Sequence, residues 1–294
     1  MSAKERPMTG KICLVTGATS GIGKVTAHAL AEQGATVIVA GRNRRRCRST
    51  VRAIRRRASN QLVDYIVADL SSQEQVRELA EQFKKNYPRL DVLINNAGAM
   101  FVSRQETTDG YEMTFALNHL AYFLLTQLLI DSMKASGNAR VINVSSSAHF
   151  ACPGINFEDL QGQKSYDGKK AYSQSKLANV LFTYELARRL EGTKIASNAL
   201  EPGGVITRFR RNNGWINWAR HVGGHMITRN LVGPKKGART SVYLAISPEV
   251  EGVNGKYFAK QKAVSSSKVS YDIGSAQRLW QVSLELTGLP GSSI

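Results

Sequence analysis

Apolar runs rich in β-branched residues alternate with helical patterns along this chain. KICLVT (11–16) reads as a buried strand, and the apolar spacing over 22–33 predicts a helix ended by Gly34. Further strands are predicted in ATVIVAG (35–41), within QLVDYIVADL (61–70), in DVLINNAG (91–98), in RVINVSS (140–146) and in KIASNALEP (194–202). KYFA, Lys256 to Ala259, is a short seventh candidate. Helical patterns fill the intervals at 42–57, 72–86, 110–134 and 171–190. Near-continuous apolar strands separated by helices imply a parallel sheet covered on both faces. That is a doubly wound α/β fold, which takes its ligands at the carboxyl ends of the strands. No linker or repeat divides the chain, so 1–294 is read as one domain. The irregular stretch over 203–234 is read as an insertion, or lid, beside the site.

Composition narrows the class. The 294 residues are 42% hydrophobic and 21% charged, which suits a globular protein. No apolar run reaches the roughly 20 residues of a membrane span. The start, MSAKERPMTGK, lacks the apolar core of a signal peptide, so a cytoplasmic protein is expected. The three cysteines and five histidines show no metal-ligand spacing, so no metal is expected, and Cys13 reads as a core residue. The net charge of +18 favours anionic partners. Much of it lies in RNRRRCRSTVRAIRRR, from Arg42 to Arg57, which reads either as a solvated helix face or as a weak contact for polyanions or an anionic membrane surface.

The first strand runs into TGATSGIG, Thr16 to Gly23, where Gly17, Gly21 and Gly23 fall in a strand-to-helix turn. Such a turn lets backbone N–H groups approach a pyrophosphate at a helix N-terminus. The second strand ends in Gly41-Arg42-Asn43-Arg44. An NAD-binding fold places a carboxylate there for the ribose hydroxyls; Arg42 instead suits a 2′-phosphate, hence NADP(H). Asp69-Leu70 follows the third strand, where a carboxylate can accept from the adenine amino group. In Asn95-Asn96-Ala97-Gly98, after the fourth, the small Ala97 and Gly98 let the chain pass close to a cofactor ribose. Taken singly, each of these is also ordinary loop chemistry.

At the other end of the site, YSQSK sets Tyr172 and Lys176 at i and i+4, on one face of a helix. A free tyrosine titrates at about 10, and a neighbouring ammonium lowers that value. Tyr172 can then exchange a proton with a carbonyl or alcohol oxygen. Ser146 ends the fifth strand, flanked by Ser145 and Ser147, and its hydroxyl can hold that same oxygen. Asn118 lies in the apolar LNHLAYFLL, where a buried amide needs partners: backbone groups, or a water leading to Lys176. Pro202-Gly203-Gly204-Val205-Ile206-Thr207 follows the sixth strand and can offer backbone and a hydroxyl to a nicotinamide carboxamide. His149, three residues after Ser146, reads as a loop histidine, with an edge of the pocket as the alternative.

TGATSGIG, DL, NNAG, N, S, YSQSK and PGGVIT, in this order, resemble the short-chain dehydrogenase/reductase superfamily over roughly 8–290. The resemblance implies a single-domain Rossmann fold with a seven-stranded parallel sheet flanked by helices. It implies the catalytic set Asn118, Ser146, Tyr172 and Lys176. Around the cofactor it implies Thr16, Gly17, Ser20, Gly21, Ile22, Gly23, Arg42, Asp69, Leu70, Asn95, Ala97, Gly98, Tyr172, Lys176, Pro202, Gly203, Val205 and Thr207. NVSSSAH, INFEDLQ, AYSQSKLANVLFTYELARRL, GKYF and RLW look like the retinol dehydrogenase branch, as does the long interval from Ser146 to Tyr172. The expected function is NADP(H)-dependent hydride transfer to or from a hydrophobic aldehyde, ketone or alcohol, with a homodimer left open. The rival expectation is a regulatory or polyanion-binding protein that holds NADP without turnover.

Overall fold

The alternation of side chains along the strands decides the layers. In β1 (Ile12–Thr16), Leu14 packs into one core, while Cys13 and Val15 pack into the other. The computed structural model describes residues 6–204 and 232–291. Beyond β1 it contains β2 (Thr36–Gly41), β3 (Val63–Val67), β4 (Val92–Asn95), β5 (Ala139–Val144), β6 (Ile195–Glu201), β7 (Lys256–Ala259) and β8 (Lys262–Val264). They form one sheet in the order β3-β2-β1-β4-β5-β6-β7-β8.

The first seven strands run parallel, but β8 pairs antiparallel with β7. Among the described residues the sheet therefore has eight strands, not the seven implied by the resemblance. The turn between β7 and β8 is Lys260-Gln261, both at positive φ (49° and 65°). That backbone suits a tight hairpin, yet neither residue is the Gly, Asn or Asp that usually signals one. The three residues of β8 are all exposed, so no apolar run marks the strand either.

One face of the sheet carries α1 (Gly21–Glu32), α2 (Arg44–Ala58) and a helix near the carboxyl end, Pro234–Ile246. The other carries α3 (Gln73–Asn86), the 113–134 region, the long helix Gly168–Arg189 and the last helix, Ile273–Thr287. The 113–134 region is not one helix. It runs as α4 (Met113–Phe115), a π-helical turn over Ala116–Leu120, α5 (Ala121–Leu128) and α6 (Ile130–Lys134). In that numbering the long helix is α7, Pro234–Ile246 is α8 and Ile273–Thr287 is α9. Cys13 is wholly buried, and burial pushes its thiol far above the usual range, as expected of a core residue. Among the described residues, no helix is long and apolar enough to cross a membrane.

Candidate active site

The glycine turn is built around close approaches. Gly17 and Gly21 sit at φ 64° and 54°, where a side chain is strained. A Cβ on Gly17 would stand 2.8 Å from Cα of Ala97, and one on Gly23 would stand 2.7 Å from the carbonyl oxygen of Gly17. The turn and the loop after β4 are thereby pressed together. Thr16 fastens them: its buried Oγ1 accepts from the backbone N–H of Asn96 (2.8 Å) and of Ala97 (3.0 Å). Asn96 Nδ2 returns a bond to the Thr16 carbonyl at 2.8 Å.

Ser20 is the N-cap of α1, followed by Ile22 in its first turn, and its side chain makes no capping bond. The starts of α2, α3 and α7 are capped by Asn43, Ser72 and Asp167. The first-turn N–H groups of α1 therefore have no side-chain acceptor at the cap, in the place that suits a phosphate. Arg42 is exposed at the end of β2. Asp69 uses Oδ1 to accept from the N–H and hydroxyl of Ser71 (3.0 and 2.8 Å), and Leu70 is buried in the core.

Asn95 does something other than face a cofactor with its side chain. It is fully buried, and its amide donates to Thr126 Oγ1 (3.1 Å) and Asn143 Oδ1 (2.9 Å), tying β4 to β5 and α5. Asn at a strand end looks the same in sequence whichever way it turns.

The catalytic candidates converge at the carboxyl end of the sheet. Lys176, on α7, is 3% exposed, and its Nζ donates to the Val144 carbonyl at the end of β5 (2.9 Å). Nζ lies 5.7 Å from the centre of the Tyr172 ring and 5.8 Å from that of Tyr122. A Cβ on Gly98 would stand 3.6 Å from it, so Gly98 keeps the space beside the amine open. Burial lowers the ammonium pKa from its usual 10.5 to about 7.

The three serines separate by role. Ser145 is buried and donates to the Lys176 carbonyl (2.7 Å), Ser147 is exposed, and Ser146 stands half-buried between them. Ser146 Oγ accepts from the N–H of Ala148 (3.2 Å), opening a short 3₁₀ turn over Ser147–Ala151.

Asn118 lies within the π-helical turn and is fully buried. Its Oδ1 accepts from Ala99 N–H, and its Nδ2 donates to the Ala99 carbonyl and to Ser175 Oγ, each at 2.9 Å. Ser175 in turn donates to the Tyr172 carbonyl at 2.8 Å. The side chain thus clamps the loop after β4 to the turn of α7 that bears Tyr172, the backbone option of the two open in the sequence.

Sequence reasoning missed three supports. Tyr122 donates to the Ala97 carbonyl (2.7 Å). Gly168 starts α7 where a Cβ would strike the Phe101 carbonyl and stand 2.9 Å from Val102 Cα. His149, far from being a loose loop residue, is wholly buried beneath Ser146. Only Gly168 left a sequence trace, since a glycine opening a long helix is out of place on propensity alone.

Pro202 and Gly203 follow β6 at the rim, Gly203 with φ 77°. Val205, Thr207 and most of the expected insertion at 203–234 lie outside the described residues. The segment's described flanks meet, Val232 N–H donating to the Gly204 carbonyl at 2.7 Å. No cluster of His, Cys, Asp or Glu suited to a metal occurs among the described residues.

The cradle fits a dinucleotide: a glycine turn without room for side chains, a helix start without a side-chain cap, and an unshielded guanidinium at the end of β2. Residues 11–215 match the family model described as short chain dehydrogenase. Polyprenol dehydrogenase of Homo sapiens is 41% identical over 290 residues, 96% of this chain and 87% of that protein. Retinol dehydrogenase 13 of Mus musculus is 44% identical over 283 residues, 95% of this chain and 84% of that one. Among solved structures, an uncharacterized protein from Mycobacterium paratuberculosis superposes with a TM-score of 0.76 at 35% identity, covering 96% of this chain and 94% of that chain. A short chain dehydrogenase from Escherichia coli CFT073, complexed with NADPH, does so with a TM-score of 0.68 at 26% identity, covering 88% and 100%.

Proposed function

The chain belongs to the short-chain dehydrogenase family, in which it is similar to retinol dehydrogenases, and on that premise we propose that it is an NADP(H)-dependent oxidoreductase acting on an apolar aldehyde, ketone or alcohol. The observation that carries the reading is the setting of Lys176. Among the described residues this buried amine has no carboxylate partner, which is costly, and it lies beside Tyr172 and the end of β5, two residues before Ser146.

A bound nicotinamide supplies or accepts the hydride. Tyr172 gives its phenolic proton to the substrate oxygen in reduction and takes it back in oxidation. Ser146 Oγ holds that oxygen so that the proton transfer is short and directed. Lys176 favours the phenolate by its charge and offers N–H donors to the nicotinamide ribose. Asn118, Ser175 and Ser145 hold the loop after β4, α7 and β5 in mutual register. Turnover of a medium-chain aldehyde, followed by nicotinamide absorbance, tests the reading as a whole. Binding of NADP(H) without turnover of any carbonyl or alcohol would favour the regulatory rival.

The preference for NADP(H) has a second support. Arg44, Arg45 and Arg46 occupy the first turn of α2, where the helix dipole disfavours cations. They and Arg42 take part in no ion pair among the described residues. A 2′-phosphate relieves that repulsion. Arg42→Ala should weaken NADP(H) binding by roughly 10- to 150-fold, the worth of one charge-assisted bond, and NAD(H) binding little. Equal affinity of the parent for both cofactors, titrated at fixed ionic strength, rejects this part of the reading.

The apolar substrate rests on a rim that the sequence did not reveal. Phe150, Val264 and Tyr271 are 54%, 43% and 53% exposed. Phe150 and Val264 flank Tyr257, and Tyr271 stacks on Tyr184 of α7: the Phe150 ring lies 6.5 Å from that of Tyr257, and Val264 pairs with Tyr257 across the β7–β8 ladder. Polyprenol and retinol, named by the relatives, are long apolar alcohols. Phe209, Trp215 and Trp218, in the 203–234 stretch read from the sequence as a lid, lie outside the described residues. Catalytic efficiency should rise with aldehyde chain length, roughly tenfold for two buried methylenes; a preference for small polar carbonyls rejects it.

The remaining arginines of α2 support a weaker second activity. All but Arg55 are exposed, and none pairs with an acid among the described residues. Retention on anionic vesicles or DNA should fall steeply between about 50 and 200 mM salt. No retention at low salt would leave α2 a solvated face.

A further inference from the structure

The turn that carries Ser146 is held from beneath by His149. The imidazole is fully buried, with ring centres of Phe150 at 4.1 Å and Tyr257 at 4.8 Å. The Ser146 carbonyl accepts from the backbone N–H of His149 at 3.1 Å and meets its Nδ1 at 2.7 Å. On the far side, Nε2 lies 3.1 Å from the backbone N–H of Ser267. These partners leave no choice of tautomer. A carbonyl only accepts, so Nδ1 carries the hydrogen; a backbone N–H only donates, so Nε2 is bare. Burial holds the imidazole below its usual pKa, outweighing the bond to Ser146 and the charge of Glu201.

The bonds continue beyond Ser267. Ser270 Oγ donates to the Ser267 carbonyl and bonds Ser266 Oγ, each at 2.6 Å. Ser266 Oγ meets Tyr184 OH, on α7, at 2.7 Å, and the Ser266 N–H donates to Tyr271 OH at 3.1 Å. Tyr271 stacks on Tyr184 with ring centres 5.4 Å apart. A circuit therefore runs from Ser146 through His149 and the 266–271 segment to α7, the helix that bears Tyr172. Tyr271 and Phe150 on this circuit also form the exposed apolar rim.

We propose that His149 is a positioning residue. It sets the Ser146 hydroxyl against Tyr172 by locking the Ser146 turn to the 266–271 segment, and it joins the substrate rim to the reacting groups. This rests on the role given to Ser146 above. His149 touches no reacting atom; it acts through the Ser146 carbonyl.

The test compares His149→Phe, His149→Asn and Ser146→Ala on a short and a long aldehyde, with NADPH affinity read by fluorescence. Phe keeps the ring and removes both bonds. It is expected to lower kcat roughly 10- to 100-fold, as a displacement near 1 Å does, with NADPH affinity within about twofold. Asn places a donor near the Nδ1 position and is expected to restore part of kcat on the short aldehyde, and less on the long one, because the link to Ser267 stays broken. A folded His149→Phe protein with parental kcat overturns the proposal when Ser146→Ala is impaired. If Ser146→Ala turns over normally, the reading of Ser146 itself has failed. Should His149→Phe not fold, ¹⁵N-histidine NMR of the parent decides. A neutral Nδ1–H ring between pH 6 and 8 supports the circuit, and an Nε2–H ring or an imidazolium overturns it.

Discussion

Phenylalanine at position 172 is expected to lower turnover by roughly 10²- to 10⁴-fold while NADP(H) affinity stays within about twofold. The expectation follows from what the substitution leaves in place. The ring stays on α7, so the packing of Lys176 Nζ at 5.7 Å from its centre is kept. The ties that fix this turn use the backbone: Ser175 Oγ donates to the Tyr172 carbonyl, and Asn118 Nδ2 donates to Ser175. Phe therefore removes only the hydroxyl. Hydride arrival leaves negative charge on the substrate oxygen, and without the phenol its best-placed proton donor is gone. The loss corresponds to about 3–5 kcal/mol of transition-state stabilisation, too much for a bystander tyrosine. Single-turnover absorbance at 340 nm, with cofactor affinity measured separately, checks it. A folded Tyr172→Phe protein that reduces the parent's substrate at a near-parental rate defeats the mechanism.

The parts of this site that the sequence displayed are those in which chemistry and spacing coincide. Tyr172 and Lys176 fall at i and i+4, the glycines fall at a strand-to-helix junction, and Arg42 falls where an acid would mark NAD. Near-continuous apolar runs gave the layers, because the central strands β1, β2, β4 and β5 are buried on both faces. What stayed hidden depends on direction or on local backbone. Asn95 and Asn118 carry the same amide, yet Asn95 ties β4 to β5 and α5, while Asn118 clamps Ala99 and Ser175. The π-helical turn at Ala116–Leu120 adds one residue to a helical repeat that looks regular in sequence. β8 is three exposed residues behind a hairpin turn without glycine or asparagine. His149 read as a loop residue because its partner, Ser267, is 118 positions away.

Lys176→Met should produce opposite effects on stability and function, and pH separates them. In the free protein, burial brings the Lys176 pKa down from 10.5 to about 7. The unfolded chain keeps that proton up to about 10. Between these values the unfolded state binds more protons, so this residue's contribution to stability rises with pH across the window and is least favourable at and below pH 7. Met has similar bulk and no charge, so the cofactor-free variant should melt at a higher temperature than the parent at pH 7, with the gap narrowing toward pH 9. Cofactor binding runs the other way. The negative charge of NADP(H) favours the ammonium, so Lys176 takes up a proton when the complex forms above pH 7. Affinity should then fall as pH rises beyond about 7, by up to tenfold per unit, and calorimetry in buffers of different ionisation enthalpy should register proton uptake. In Lys176→Met that slope should vanish, binding should weaken at pH 7, and turnover should fall by at least about a hundredfold, because the tyrosine loses the charge that tunes it. A parent whose NADP(H) affinity is flat from pH 7 to 9, with no proton uptake, would mean that Lys176 does not face the cofactor. A Met variant that binds and turns over like the parent would reduce the lysine to a buried liability with no function to offset it.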